Sequence, residues 1–190
     1  MDRRLLSAVD EHPQTLLVIG IHREELAFGQ AVARQLDPAQ VAVLEIPEGL
    51  SGQPPPAARR FQYEALHRAL YLQLLPHVLN RHHLLIDLHS GSDPQLGADL
   101  ICADPALCAC LRTALAGAER LAGVEVRVVP LGDESADLHA RTIIPPQVWR
   151  NPAFHYLGLE IYLPEPADEW PAACALAREL IAIAAGCAGR

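Results

Sequence analysis

Residues 84–91 read LLIDLHSG, an apolar run that only Asp87 interrupts and that ends directly before His89 and a turn-rich stretch. A short, nearly continuous apolar run is typical of a β-strand that is buried on both faces. A second run of this kind, TLLVIGI at residues 15–21, leads into the polar sequence HREE, which begins at His22. Both predicted strands therefore end in side chains that can bind a metal ion or move a proton.

Strands and helices are predicted to alternate along the whole chain, which is typical of an α/β protein. We expect a single three-layer domain over residues 1–190, with a mixed, largely parallel central sheet. Pro76 is expected to interrupt the last turn of the second helix. The apolar runs predict strands at 15–21, 41–46, 84–88, 98–103, 124–129 and 156–163, and helical spacing predicts helices at 24–35, 57–79, 105–120 and 170–185.

The composition narrows the classes of partner. The chain of 190 residues has 23 acidic and 15 basic residues, so its formal charge is −8. This balance argues against nucleic acids and anionic membranes as partners, because both require a basic face. No uninterrupted apolar run reaches the roughly 18–20 residues that span a bilayer. Five cysteines without a CxxC pair predict reduced thiols and a cytoplasmic location. A homo-oligomer is compatible with the sequence.

The residues that follow the predicted strands form a candidate metal site. His22 and Glu25 come after the first strand, and His89 comes after the third strand. Ligands collect beyond the carboxyl ends of strands in α/β sheets, so these three side chains are expected to converge. Two imidazoles and one carboxylate are the protein ligands of a catalytic zinc. Strand alternation places Asp87 on the same side as His89, where it can orient that imidazole.

A structural alternative exists for part of this site. His22 and Glu25 could instead form a polar strand end, with the glutamate in the first helical turn, where it favours the helix dipole. His89 could be a turn histidine that is satisfied by backbone groups. The agreement in position of the three residues favours the metal site over both alternatives.

Three motifs resemble the succinylglutamate desuccinylase/aspartoacylase branch of the zinc carboxypeptidase-like fold. The segment GIHREE at 20–25 is similar to the family's G-x-H-G-N-E, although Arg23 and Glu24 replace glycine and asparagine. The segment LLIDLHSG is similar to the family's D-L-H motif, and LGLEIYLPE at 157–165 is similar in setting to the strand that carries its catalytic glutamate. With 190 − 164 = 26 residues after Pro164, no counterpart of the family's extra C-terminal domain is expected.

The resemblance implies roles for individual residues. His22, Glu25 and His89 would hold one Zn²⁺ ion, and Glu160 would be the general base. The family's D-L-N-R-x-F segment is matched in part by AARRF at 57–61. Its arginine, which helps to hold the substrate carboxylate and carbonyl oxygen, is therefore expected at Arg59 as a catalytic residue, with Arg60 as a substrate-binding residue. The loop arginines Arg141 and Arg150 are alternatives.

The motifs together predict a zinc-dependent amidohydrolase that acts on a small N-acylated amino acid or a related compound. An arginine would stabilise the oxyanion or bind a substrate carboxylate. Two alternatives stay open at this point: a carboxypeptidase-type metallopeptidase, and a non-catalytic binding protein on the same fold.

Overall fold

The computed structural model describes residues 12–132, 140, 142–164 and 170–189. Short 3-10 turns occupy Arg23–Glu25, Ala57–Arg59 and Glu119–Leu121. The strands are β1 (Thr15–Ile19), β2 (Val41–Glu45), β3 (Leu84–Ser92), β4 (Gly97–Cys102), β5 (Glu125–Pro130) and β6 (His155–Leu163). The helices are α1 (Leu26–Ala33), α2 (Arg60–Leu72), α3 (Leu75–Val78), α4 (Pro105–Ala116), α5 (Pro146–Trp149) and α6 (Trp170–Ala188).

All six strands belong to one sheet in the order β2-β1-β3-β6-β4-β5. Neighbouring strands are parallel except β4 and β6, which are antiparallel. The predicted α/β class and the mixed, largely parallel sheet are therefore confirmed. Strands β1, β3 and β6 are neighbours at the centre, and this order brings their carboxyl ends to one edge of the sheet.

Helices cover both faces of the sheet and give it three layers. Alternate strand residues such as Leu17, Ile86 and Leu159 pack with α1, α4 and α6 into one core. The opposite strand positions, among them Val18 and Leu85, pack with α2, α3 and α5 into a second core. The second core is the smaller one. On this face of the sheet, the side chains near the carboxyl ends of β3 and β6 are polar instead of apolar.

The helix predicted over 57–79 is broken into a 3-10 turn, α2 and α3. Proline has no N–H, and its ring collides with the carbonyl four residues earlier. For Pro76 that carbonyl belongs to Leu72, the last residue of α2. The proline therefore ends the helix one turn before its own position rather than distorting only the last turn.

Strand β3 is longer than its apolar run predicts. The polar residues after Leu88 continue the ladder as far as Ser92, where they pair with the end of β6 at Leu163. His89 consequently lies inside a paired strand and not in the turn that is expected to follow Leu88, and it pairs with Glu160 inside β6, where a strand is predicted. Between residues 130 and 150, where the sequence analysis predicts neither a strand nor a helix, the chain forms the short helix α5.

Helix α6 is long and apolar enough to cross a membrane by length and composition. It interrupts its apolar residues with Arg178 and Glu179. Its buried stripe, including Ala177, Leu180 and Ala184, packs against α1, α4 and β6. This is the arrangement of a core helix in a layered domain.

The structure corrects the expectation of reduced cysteines. Cys102 is paired with Cys108, and Cys110 is paired with Cys187, as two disulfides. Their Cα atoms are 6.4 and 5.8 Å apart, within the range that a disulfide requires. Cys174 is free and buried. Sequence spacing missed these pairs because α4 packs beside β4 and α6 only in the folded chain.

Candidate metal centre

The turn after β1 fixes the position of His22. Gly20 has a φ of +82°, and a Cβ at this position would lie 2.6 Å from the carbonyl oxygen of Ile46. Only glycine fits this turn at low cost. The chain then pairs with the loop after β2, since the N–H of Arg23 donates to the carbonyl of Leu50 at 2.9 Å. His22 is held extended between these two points, directly before the 3-10 turn that carries Glu25.

The structure brings His22, Glu25 and His89 together. Nδ1 of His22 lies 2.9 Å from Oε1 of Glu25, and Nδ1 of His89 lies 2.8 Å from Oε2 of the same carboxylate. One ligand atom from each residue lies within 4.8 Å of the other two. His22 and Glu25 come from the turn after β1, and His89 comes from the middle of β3, the parallel neighbour of β1.

Asp87 lies behind His89. Its carboxylate is completely buried, and Oδ2 lies 2.9 Å from Nε2 of His89. The hydroxyl groups of Tyr71 and Tyr156 donate to the same oxygen at 2.7 and 2.9 Å. Oδ1 has no hydrogen-bond partner among the described residues. Asp87 thus fixes the orientation of the His89 ring and leaves Nδ1 facing Glu25.

The charges of these groups depend on one another. Burial opposes ionisation of Glu25, but hydrogen bonds from His22 and His89 outweigh burial and lower the pKa of this carboxyl. Burial also opposes protonation of His89, but the charge of Asp87 outweighs it and raises the pKa of the imidazole well above its usual value. Both shifts favour ion pairing between the His89 imidazole and the carboxylates of Glu25 and Asp87 that lie on either side of it.

These residues fit a divalent metal ion. The donor set of two imidazole nitrogens and one carboxylate is that of catalytic zinc sites, which keep a further position open. In such sites the second ring nitrogen of a ligand histidine donates to a carboxylate, as Nε2 of His89 does to Asp87. The proton on Nδ1 of His89 would leave when a cation takes its place.

Glu160 lines the same cavity, which has a volume of about 330 Å³. Leu159 and Ile161 on either side of it point into the opposite core, so strand alternation turns Glu160 towards the site. A Cβ on Gly91 would lie 2.9 Å from Oε1 of Glu160, so a glycine there leaves room for the carboxylate. Burial raises the pKa of Glu160, although the charge of nearby His89 opposes this rise.

Helix α2 contributes residues that the sequence analysis did not assign to the site. Tyr63, His67 and Tyr71 recur at intervals of four and all line the cavity. His67 is only 2% exposed. Its pKa is lowered mainly by burial, which the hydrogen bond to the Tyr63 carbonyl only partly offsets. The four-residue spacing was the available signal, but it does not indicate what the helix packs against.

The structure does not bring the predicted arginines into the described part of the cavity. Arg59 and Arg60 are exposed at the start of α2 and are not among the described lining residues. Arg150 stacks on the ring of Trp149, 4.3 Å from its centre, and lines a different cavity near the amino ends of the strands. Arg141 lies outside the described residues.

Glu24, which replaces the asparagine of the family motif, has a structural role. Its carboxylate accepts hydrogen bonds from the hydroxyl of Ser51 at 2.8 Å and from the N–H of Gly52 at 3.1 Å. Gly52 in turn lies against the ring of His22, where an added Cβ would be 3.0 Å from Cγ. Glu24 therefore holds the loop that packs beside one of the candidate ligands.

Comparisons with known proteins agree with this fold. No protein-family model matches the sequence, and no curated protein matches it significantly. The crystal structure of murine aminoacylase 3 matches with a TM-score of 0.50 and 15% identity, over 94% of this chain and 66% of that chain. A candidate metallopeptidase from Shewanella denitrificans matches with a TM-score of 0.48 and 18% identity, over 96% of this chain and 77% of that chain.

The chain thus spans just under two thirds of the length of the murine aminoacylase 3 structure. At this level of identity the likeness concerns the fold alone. The chain has the zinc carboxypeptidase-like, aspartoacylase-type fold that its three motifs predict.

Proposed function

We propose that this protein is a zinc-dependent hydrolase that cleaves the amide bond of a small N-acylated amino acid or a related compound. The observation that carries the proposal is the convergence of His22, Glu25 and His89 beside Glu160 in one cavity. Two imidazoles and a carboxylate leave the open coordination position that a hydrolytic zinc requires.

In this proposal Glu160 carries the proton. When bound, one Zn²⁺ ion would polarise the substrate carbonyl and lower the pKa of a water molecule. Glu160 would accept the proton of the attacking water and deliver it to the leaving nitrogen. Its raised pKa supports the first of these steps, because a carboxylate with a higher pKa is a stronger base towards the proton of the attacking water.

We propose Arg59 as a catalytic residue and Arg60 as a substrate-binding residue. Arg59 lies four residues before Tyr63, which lines the cavity, so the two occupy neighbouring turns at the start of α2. A guanidinium there could bind a substrate carboxylate by a bidentate pair or stabilise the oxyanion. Replacing either arginine by alanine is expected to raise KM for carboxylate-bearing substrates more than for neutral ones.

Metal content tests the ligand assignment. Protein purified without added metal should contain about one zinc ion per chain. His89→Ala should lose this ion, whereas the matched control His83→Ala should keep it, because His83 is an exposed histidine directly before β3. Full zinc occupancy in His89→Ala would refute the assignment.

Turnover tests the reaction class. A panel of N-acyl amino acids and short peptides should show hydrolysis of the acyl amino acids in preference to the peptides; the reverse order would favour the metallopeptidase. Glu160→Gln should bind zinc and substrate but lose turnover. The control variant Glu119→Gln should behave as wild type, because Glu119 is exposed and does not line the cavity. Equal activity of Glu160→Gln and wild type would remove Glu160 from the mechanism.

The remaining expectations stay proposals. We propose a small-molecule partner and neither nucleic acid nor membrane as a ligand, with the net charge of −8 in support. The cytoplasmic location stays a prediction, and the two disulfides count against it, since disulfides are rare in that compartment. Light scattering would establish whether the chain forms a homo-oligomer.

A further inference from the structure

His67 carries a buried nitrogen atom that nothing in the described structure satisfies. Nδ1 lies 2.9 Å from the backbone carbonyl oxygen of Tyr63, one helical turn earlier. Nε2 is buried and has no hydrogen-bond partner among the described residues. An unsatisfied buried polar atom costs about 1–3 kcal/mol, so its retention calls for an explanation.

The hydrogen bond to Tyr63 fixes which nitrogen of His67 holds the proton. A carbonyl oxygen can only accept, so Nδ1 must carry the hydrogen and donate it. In the neutral ring Nε2 is then without a hydrogen and presents a lone pair. The free nitrogen of His67 is therefore a hydrogen-bond acceptor.

This acceptor borders the candidate metal centre without belonging to it. The centre of the His67 ring is 5.5 Å from that of His22, and both residues line the same cavity. Among the described residues, the group of ligand atoms within 4.8 Å of one another comprises His22, Glu25 and His89, and His67 is not part of it. His67 thus has an unpaired, buried acceptor on a ring that lines the cavity.

We propose that Nε2 of His67 accepts a hydrogen bond from the N–H of the scissile amide and so selects amides over esters. This inference rests on the proposed function. The carbonyl and carboxylate oxygens of an N-acyl amino acid only accept hydrogen bonds, so the amide N–H is the donor that all members of the class share. An ester with the same acyl group offers no donor, and a buried acceptor then stays unpaired.

Two substitutions separate the two nitrogens of the ring. In His67→Asn the side-chain amide can still donate to the Tyr63 carbonyl, but it has no acceptor at the position of Nε2. In His67→Gln the longer side chain can place an oxygen near that position. The measurement is kcat/KM of the zinc-loaded protein for an N-acyl amino acid and for the ester with the same acyl group, together with the zinc content and melting temperature of each variant.

We expect the amide-to-ester ratio of kcat/KM to fall about tenfold in His67→Asn and to be restored in large part in His67→Gln. An unchanged ratio in His67→Asn overturns the inference, because a purely structural role would lower both rates together. Loss of zinc from His67→Asn also overturns it, in favour of a ligand role. Wild-type protein that cleaves neither compound refutes the proposed function instead, and the ratio of binding constants for the same two compounds then decides on His67.

Discussion

At the scale of the residue, the candidate metal centre depends on a buried charge. Asp87 is fully buried and accepts hydrogen bonds from His89 and from two tyrosine hydroxyls. A buried carboxylate is tolerated only where partners replace the water that it has lost. Burial opposes its ionisation, but the charge of His89 and these hydrogen bonds outweigh burial and lower the pKa of Asp87. Asp87 therefore stays charged and holds the His89 ring in place.

Replacing this charge should weaken metal binding more than it changes the fold. In Asp87→Asn the side chain keeps its shape and one acceptor oxygen, but the negative charge that orients His89 is lost. We expect the affinity for Zn²⁺ to fall about 10–100-fold, measured by competition with a chelating dye. Tyr156→Phe is the control, since it removes one hydrogen bond to the same oxygen and keeps the charge; its loss should be smaller. Equal affinities of Asp87→Asn and wild type would contradict this role.

The sequence predicted the residues at the strand ends better than the residue on the helix. His22 and His89 are close in space because parallel neighbouring strands align their carboxyl ends, and an apolar run shows where each strand lies. His67 belongs to α2, and helical spacing reveals a face without revealing its partner. Its position over the sheet depends on contacts between distant segments, which no local pattern contains.

At the scale of the element, apolar runs located all six strands, whereas non-local pairing set their lengths. The sequence of β3 after Leu88 has the composition of a turn, yet it is held as a strand by the ladder to β6. Helix starts with a local cause were predicted well: Oδ1 of Asp104 caps α4 by accepting from the N–H of Leu107 at 2.7 Å. To predict where a helix ends, the collision of a proline ring with the carbonyl four residues earlier has to be considered, because α2 ends at Leu72 and not at Pro76.

Helix α6 contains a glycine that its surroundings do not require. Gly186 is exposed, and a Cβ added to it would meet no atom within 4 Å. Glycine in a helix costs about 0.5–1 kcal/mol relative to alanine, because it loses more backbone entropy on folding. Gly186→Ala should therefore raise the free energy of unfolding in urea by about this amount. A decrease would mean that α6 is not helical at this position.

Gly29, unlike Gly186, is required by its surroundings. Gly29 in α1 lies against Ile19 of β1, where an added Cβ would be 2.7 Å from the Cβ of that isoleucine. Gly29→Ala should therefore destabilise the protein, although alanine is the better helix former. The two variants together distinguish helix propensity from packing in the same unfolding experiment.

At the scale of the whole molecule, two disulfides connect elements on one side of the sheet. One joins β4 to α4, and the other joins α4 to α6. Cys110 in α4 and Cys187 in α6 are 77 residues apart in sequence, so their bond closes a large loop. Titration of thiols in denaturant without reductant should find one thiol per chain, that of Cys174, and five after reduction. Five thiols before reduction would instead agree with the reduced state that the sequence predicts.

The candidate metal centre and a pH-dependent contact lie at opposite ends of the strands. The carboxyl edge carries the candidate metal centre, and the amino edge holds the start of β1 against the start of β3. There Nδ1 of His82 donates to the carbonyl of Pro13 at 2.6 Å, and the N–H of His83 donates to the carbonyl of Gln14 at 2.8 Å. Burial lowers the pKa of His82 below its ordinary 6.5, and the hydrogen bond to Pro13 only partly opposes this shift.

This shift makes part of the stability dependent on pH. The unfolded chain takes up a proton at His82 before the folded chain does, so the contribution of His82 is complete above pH 6.5 and is lost as the pH falls through the folded-state pKa. His82→Asn keeps a donor for Pro13 and does not titrate, so its free energy of unfolding should fall less than that of wild type between pH 7.5 and 5.5. Urea denaturation with chelator present measures this difference, in which the titration of His67, His89 and the carboxylates cancels. Parallel curves for the two proteins would show that His82 titrates alike in both states.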